Sequence, residues 1–192
     1  AKGIYHENFK QHSGVKRPAF AALRQAWRDC AAFEQPEALA SHHPLTVWIH
    51  SNRAQKRPVT VTASIYALDG ALMASTSFAA LTGETTPLGE LAANLPAEGM
   101  VIARTELSDG GEMTRIDQVI ALAAGAPARA ALLSPPRAEL RLQGGTLFCE
   151  GRVSALGVAA GSFYGALLPG EKIALPEGIA PEDIESLNGL VL

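Results

Sequence analysis

Between Pro44 and Ala123 the chain alternates apolar and polar side chains with a period of two, and this pattern restricts it to a mainly β fold. The alternation is plain at Leu45-Thr46-Val47-Trp48-Ile49-His50. It returns at Val59-Thr60-Val61-Thr62-Ala63-Ser64-Ile65-Tyr66-Ala67-Leu68. In an extended strand successive side chains point to opposite faces, so each run presents one apolar face for packing.

Turn residues separate these runs. Asp69-Gly70 follows the second run and is a hairpin signal, because glycine accepts positive φ. A strand from Ala71 to Phe78 comes next. Leu88 to Leu95 reads as a strand or as a helical turn, with Leu88, Leu91 and Leu95 on one side. Met100–Leu107 and Thr114–Leu122 flank Ser108-Asp109-Gly110-Gly111 as a further hairpin. About six or seven strands, with turns roughly every 8–12 residues, form the pattern of an immunoglobulin-like β-sandwich.

Ahead of this ladder the periodicity changes. Pro18 suits a first helical turn, where a missing N–H costs nothing. Phe20, Leu23, Trp27 and Cys30 recur at helical spacing and share a face, and Pro36 closes the region. The expectation is one amphipathic helix preceding the sandwich. A lone helix in this place suggests a chain cut from something larger. The first residue is Ala1 rather than methionine, which fits processing, and tag removal explains it equally well.

Ala123-Ala124-Gly125-Ala126-Pro127-Ala128 reads as a linker. Beyond it, Ala138–Leu142 and Thr146–Val153 flank Gly144-Gly145. Leu167-Leu168-Pro169-Gly170-Glu171-Lys172-Ile173-Ala174-Leu175 reads as strand, turn, strand. Pro181 with Glu182 and Asp183 suits a short helix start. Three parts are therefore expected: an N-terminal segment over 1–43, an immunoglobulin-like sandwich over 44–124, and a second, reduced sandwich-like β unit over 125–192.

Composition removes several function classes. The 192 residues carry 16 basic and 19 acidic side chains, a formal charge of −3. No strong field of one sign results, so neither nucleic acid nor an anionic membrane is an expected partner. No apolar run approaches the ~20 residues of a membrane helix. Cys30 and Cys149 are far apart in sequence and are expected to be free, packed thiols, which favours a reducing, cytoplasmic setting.

His42-His43 is an adjacent pair without a nearby third ligand, and reads as a solvated loop. No Gly-x-Ser-x-Gly elbow is present, and Gly161-Ser162-Phe163 reads as an ordinary turn. There is no phosphate loop and no dinucleotide fingerprint. Glu84, Glu90, Glu98, Glu106, Asp109, Glu112 and Asp117 fall in turns or at solvent-suited strand positions, with nothing to pair them. Arg53, Lys56 and Arg57 lack interleaved aromatics. Trp48 is expected in the core; an exposed Trp48 would offer a sugar-stacking surface. No catalytic, cofactor-binding or metal-binding residue is assigned, and no cofactor is expected.

Ser13-Gly14-Val15-Lys16-Arg17-Pro18-Ala19-Phe20-Ala21-Ala22-Leu23-Arg24 resembles the segment that closes the catalytic barrel in glycoside hydrolase family 2, especially its β-mannosidase branch. Leu45 to Asn52 resembles the first strand after that barrel, with its Asn-containing turn. Pro58-Val59 and Leu68-Asp69-Gly70 fall where that domain has a strand entry and a hairpin. Leu167-Leu168-Pro169-Gly170-Glu171 is similar to a turn in the last β domain of β-mannosidases. The family's acid/base glutamate follows an asparagine on a barrel strand, and this chain has no Asn-Glu dipeptide. Its nucleophile lies on an earlier barrel strand, so no catalytic residue carries over.

The resemblance implies a non-catalytic C-terminal accessory region of a β-mannosidase-like glycoside hydrolase, a retaining enzyme of carbohydrate metabolism using two carboxylates. Its implied partner is the catalytic barrel, with carbohydrate a further candidate. The alternative is a stand-alone immunoglobulin-like module that binds carbohydrate or protein through exposed aromatics such as Trp48, Tyr66 or Tyr164. A structural protein that dimerises through the helix stripe is a third reading.

Overall fold

A computed structural model describes residues 30–33, 44–51, 54–111, 113–122 and 133–191. These fall into two compact units, parted between Pro135 and Pro136.

The first unit contains seven strands: β1 (Cys30–Phe33), β2 (Leu45–His50), β3 (Pro58–Ala67), β4 (Leu72–Leu81), β5 (Thr85–Leu91), β6 (Gly99–Ser108) and β7 (Met113–Leu122). They form a three-stranded sheet ordered β1-β2-β5 and a four-stranded sheet ordered β4-β3-β6-β7. Alternate residues point between the sheets. Val47 and Ile49 from β2 meet Val61 and Ile65 from β3, with Val101, Ala103 and Leu107 from β6 completing the core. Burying apolar area here contributes about 25 cal/mol per Å².

The turns do what their residues demand. Asp69 Oδ1 accepts the Ala71 N–H at 3.0 Å, an Asx turn that reverses the chain between β3 and β4. Asp109 Oδ1 accepts the Gly111 N–H at 3.1 Å, which helps hold the β6–β7 reversal. That reversal sets Arg104 directly opposite Asp117. The Leu88–Leu95 ambiguity resolves as β5, ending at Leu91. Pro87 is tolerated because β5 is an edge strand and its register against β2 shifts there, Val47 facing Gly89 and Trp48 facing Pro87 with Leu88 skipped between them.

The expected helix lies mostly on residues outside those described. Its last part does not hold: Cys30–Phe33 is strand β1, with Cys30 opposite His50 and Phe33 opposite Val47. Among the described residues there is no amphipathic helix. Alanine propensity is overruled by packing, since Ala31 and Phe33 enter the core beside Ile49 and Val47. Two side chains also fasten the β1 backbone. Gln118 on β7 bonds both backbone groups of Phe33, and the Thr105 hydroxyl on β6 donates to the Ala31 carbonyl. Trp48 does not enter the core either. Leu45, Val47 and Ile49 occupy the inward positions, so parity sends Trp48 to the outer face of β2, half-buried.

Strand β6 is unusual in being buried on both faces. Val101, Ala103 and Thr105 face the core, while Met100, Ile102 and Arg104 on the outer side are also buried.

The second unit contains β8 (Ala138–Gln143), β9 (Thr146–Cys149), β10 (Ala155–Ala160), β11 (Phe163–Leu167), β12 (Lys172–Ala174) and β13 (Gly189–Val191), with a 3-10 turn at Pro181–Asp183. Four strands form a sheet ordered β12-β9-β8-β13, and β10 pairs with β11. Leu140, Leu147 and Cys149 from the sheet share a core with Val158, Ala160 and Leu167 from the pair. Strand β9 stops at Cys149, short of the expected Val153. Its last ladder contact is continued by the Glu150 N–H, which donates to the Glu139 carbonyl at 3.0 Å.

Leu168-Pro169-Gly170-Glu171 is a β-turn with proline at its second position and glycine, at φ +82°, at its third. The Glu171 N–H donates to the Leu168 carbonyl, and the Leu168 N–H donates back to Glu171 Oε2, both at 2.9 Å. The chain enters this turn from β11 and leaves it into β12, which pairs with β9. The turn is fixed to β9 as well: the Gly170 N–H donates to the Cys149 carbonyl at 2.8 Å.

Asn188 is the junction of the second unit. Its Nδ2 donates to the Pro136 carbonyl at 2.7 Å and the Ser154 carbonyl at 3.0 Å, and its Oδ1 accepts the Leu156 N–H at 2.7 Å. It delivers the chain into β13, which runs parallel to β8 in an otherwise antiparallel sheet.

Candidate functional site

The outer face of the four-stranded sheet in the first unit carries the densest group of charges among the described residues. Strand register places Ser64, Arg104 and Asp117 in one row across β3, β6 and β7. Arg104 Nε donates to Asp117 Oδ1 at 2.7 Å, and Arg115 Nε donates to Asp117 Oδ2 at 2.9 Å. The Arg104 and Asp117 side chains are almost wholly shielded, at 4% and 2% exposure. The guanidinium carbon of Arg104 lies 5.3 Å from the centre of the Tyr66 ring, a cation–π contact.

Asp117 was expected to face solvent unpaired; instead one carboxylate is shared by two arginines. The missed signal is in the sequence. The Asp109-Gly110 turn fixes which β6 residue faces which β7 residue, and two-residue spacing puts Arg115 on the same side as Asp117. The chemistry of the group is that of a clamp. Arginine stays charged throughout the range in which proteins fold, and an ionised carboxylate only accepts. Removing the Asp117 carboxylate takes from both arginines the anion they share, which is costly for the buried Arg104.

The remaining candidates do not converge. His42, His43, Arg53 and Glu112 lie outside the described residues. Lys56 pairs with Glu84, and Arg57 Nη2 bonds Gln55 Oε1 at 3.3 Å, so these cations are engaged with neighbours. Glu90 and Glu98 are exposed, and Glu106 is half-buried. Gly161-Ser162 is the turn between β10 and β11. Trp48 and Tyr66 stand on the outer faces of different sheets, and Tyr164 belongs to the second unit. Among the described residues no three His, Cys, Asp or Glu side chains gather as a metal site. No helix among them is long and apolar enough to cross a membrane. Cys30 and Cys149 are buried and are not joined in a disulfide.

In the second unit, Arg141 and Glu150 form an exposed pair. Arg141 Nε donates to Glu150 Oε1 at 2.7 Å, and the guanidinium lies 4.9 Å from the centre of the Phe148 ring. The hydrogen bond from Arg141 holds the Glu150 carboxyl below the usual glutamate range and raises Arg141 in turn. Burial pushes the Cys149 thiol up, which keeps it neutral and unreactive. An open depression of about 390 Å³ in the first unit is lined by Met73, Ala92, Ala93 and Asn94. None of these four residues carries a titratable side chain for acid–base work.

No protein-family model and no curated protein matches the sequence. Among solved structures, the chain is similar to the β-D-mannosidase of Dictyoglomus thermophilum, with a TM-score of 0.65 at 14% identity over 96% of this chain. Weaker likenesses link 56% of the chain to a β-glucuronidase from glycoside hydrolase family 2 (TM-score 0.38, 12% identity, 12% of that chain) and 56% to the β-glucuronidase of Bacteroides uniformis (0.37, 14% identity, 14% of that chain). This chain spans 24% of the length of the mannosidase. At this identity the likeness to the mannosidase is one of fold.

Proposed function

We propose that this chain is a non-catalytic C-terminal accessory region of a β-mannosidase-like glycoside hydrolase, and that it braces the catalytic barrel. The observation that carries the reading is the likeness to a β-D-mannosidase over 96% of this chain, against 24% of that enzyme. The three-plus-four strand order β1-β2-β5 and β4-β3-β6-β7 supports an immunoglobulin-like character for the first unit. Hydrolysis by a retaining glycosidase needs two carboxyl groups about 5–5.5 Å apart, one as nucleophile and one as acid/base. The most enclosed carboxylate described here, Asp117, is instead saturated by arginines. The reaction belongs to the barrel, and this region supplies rigidity.

The test has two arms. The chain alone is expected to release no nitrophenol from nitrophenyl β-mannoside; turnover above a blank overturns the non-catalytic reading. The enzyme encoded with its upstream sequence is expected to lose thermal stability when this region is deleted. Unchanged stability overturns the bracing role.

A further inference from the structure

We infer that Asn188-Gly189 is a site of spontaneous deamidation that native packing suppresses, so that unfolding exposes the second unit to irreversible chemical loss. Asparagine followed by glycine is chemically labile, because the glycine nitrogen is sterically free to attack the side-chain carboxamide. Gly189 N bonds to Asn188 Cγ, the Cγ–Nδ2 bond breaks, and ammonia leaves carrying the glycine amide proton. Water then opens the cyclic imide at one of its two carbonyls. The product is aspartate, or isoaspartate with the main chain rerouted through Cγ.

The fold needs both members of the pair. Asn188 joins three separate backbone positions, at Pro136, Ser154 and Leu156. Gly189 has no room for a side chain: a Cβ there would lie 2.7 Å from Leu140 Cδ1 and 2.7 Å from Ser186 Oγ. Packing thus holds in place a dipeptide that chemistry disfavours.

The same contacts block the reaction. The carboxamide is held by all three of its bonds at 9% exposure. The attacking nitrogen is occupied, since the Gly189 N–H donates to Ser186 Oγ at 2.9 Å. The Asn188 carbonyl accepts the Ala138 N–H at 2.9 Å, fixing the main chain between the reacting atoms. Cyclisation requires these bonds to open together. Once formed, an aspartate presents acceptor oxygens to the Pro136 and Ser154 carbonyls, which have lost their donor. An isoaspartate lengthens the backbone at the entry to β13 and shifts its register against β8.

The experiment compares the full 192-residue chain held native and held in urea at mildly alkaline pH. Peptide mass spectrometry follows Asn188, with Asn94, which precedes Leu95, as the internal reference. Modification at Asn188 is expected to outpace Asn94 in urea and to be at least about tenfold slower in the native chain. After removal of urea the modified fraction is expected to leave the 136–191 unit sensitive to protease. Equal rates in the two states, no reaction in urea, or full refolding of the modified chain each overturns the inference. None of these outcomes bears on the glycosidase reading.

Discussion

Gln118 and Phe33 exchange two hydrogen bonds across 85 residues of sequence: the Phe33 N–H donates to Gln118 Oε1 at 2.8 Å, and Gln118 Nε2 donates to the Phe33 carbonyl at 3.0 Å. The side-chain amide acts as a strand neighbour would. It ties β1, in the three-stranded sheet, to β7, in the four-stranded one. Gln118→Leu leaves both Phe33 groups without that partner and is expected to destabilise the first unit by about 1–3 kcal/mol. Gln118→Glu keeps the acceptor but sets a carboxylate oxygen against the Phe33 carbonyl, so its cost at neutral pH should be no smaller than that of leucine. Urea unfolding at neutral pH measures both.

Asp117→Ala removes the carboxylate between Arg104 and Arg115. The expected cost is on the order of 3–5 kcal/mol, because buried guanidinium charge is left uncompensated. Replacing Arg104 and Asp117 together by methionine and leucine is expected to cost less than Asp117→Ala alone. A double-variant cost equal to the sum of the two single-variant costs would show that the two side chains are not coupled.

Glu150 gives the second unit a pH dependence of known sign. Its folded carboxyl titrates below the ordinary value because Arg141 donates to it. The pair therefore stabilises the fold above the unfolded glutamate pKa of about 4.3, and loses that contribution as pH falls through the lower folded value. The effect is small, because both side chains are exposed. Carboxyl NMR titration is expected to place Glu150 below the ordinary glutamate value, and Arg141→Met should return it to the ordinary range.

Gly170→Ala forces a side chain into φ +82° at the centre of the Leu168–Glu171 turn. Nothing crowds a Cβ at that position, so the cost is purely conformational, about 1–2 kcal/mol. Asparagine, which tolerates this region better, should recover part of it. Thermal unfolding of the two variants, ranked against the parent chain, reads the order directly.

Cys149 should resist alkylation in the folded chain and react at an ordinary rate in urea. Burial raises its pKa, and its Sγ donates to the Val153 carbonyl at 3.5 Å. Rapid labelling under native conditions would contradict the packing described for the second core.

Strands with strict alternation were readable from the chain, and so were the turns at Asp69-Gly70, Asp109-Gly110 and Gly144-Gly145. Local rules decide these elements. What escaped was decided at a distance. Cys30–Phe33 carries helical alanine but answers to Ile49 and Val47 across a sheet. β10 and β13 were missed: Ala155–Ala160 lacks alternation, and Gly189–Val191 is a three-residue strand held by Asn188 and a parallel partner. The Arg104–Asp117–Arg115 group is legible only from the β6–β7 register, because no single charge in it signals its partners. Trp48 is expected inside, whereas parity with Val47 and Ile49 sends it out.

A strand enclosed from above and below has no weathered side. From Met100 to Thr105, β6 offers solvent no position at which sequence can drift cheaply. Homologues of this chain should therefore vary least in one unbroken stretch there, where most strands of a sandwich vary at every second residue.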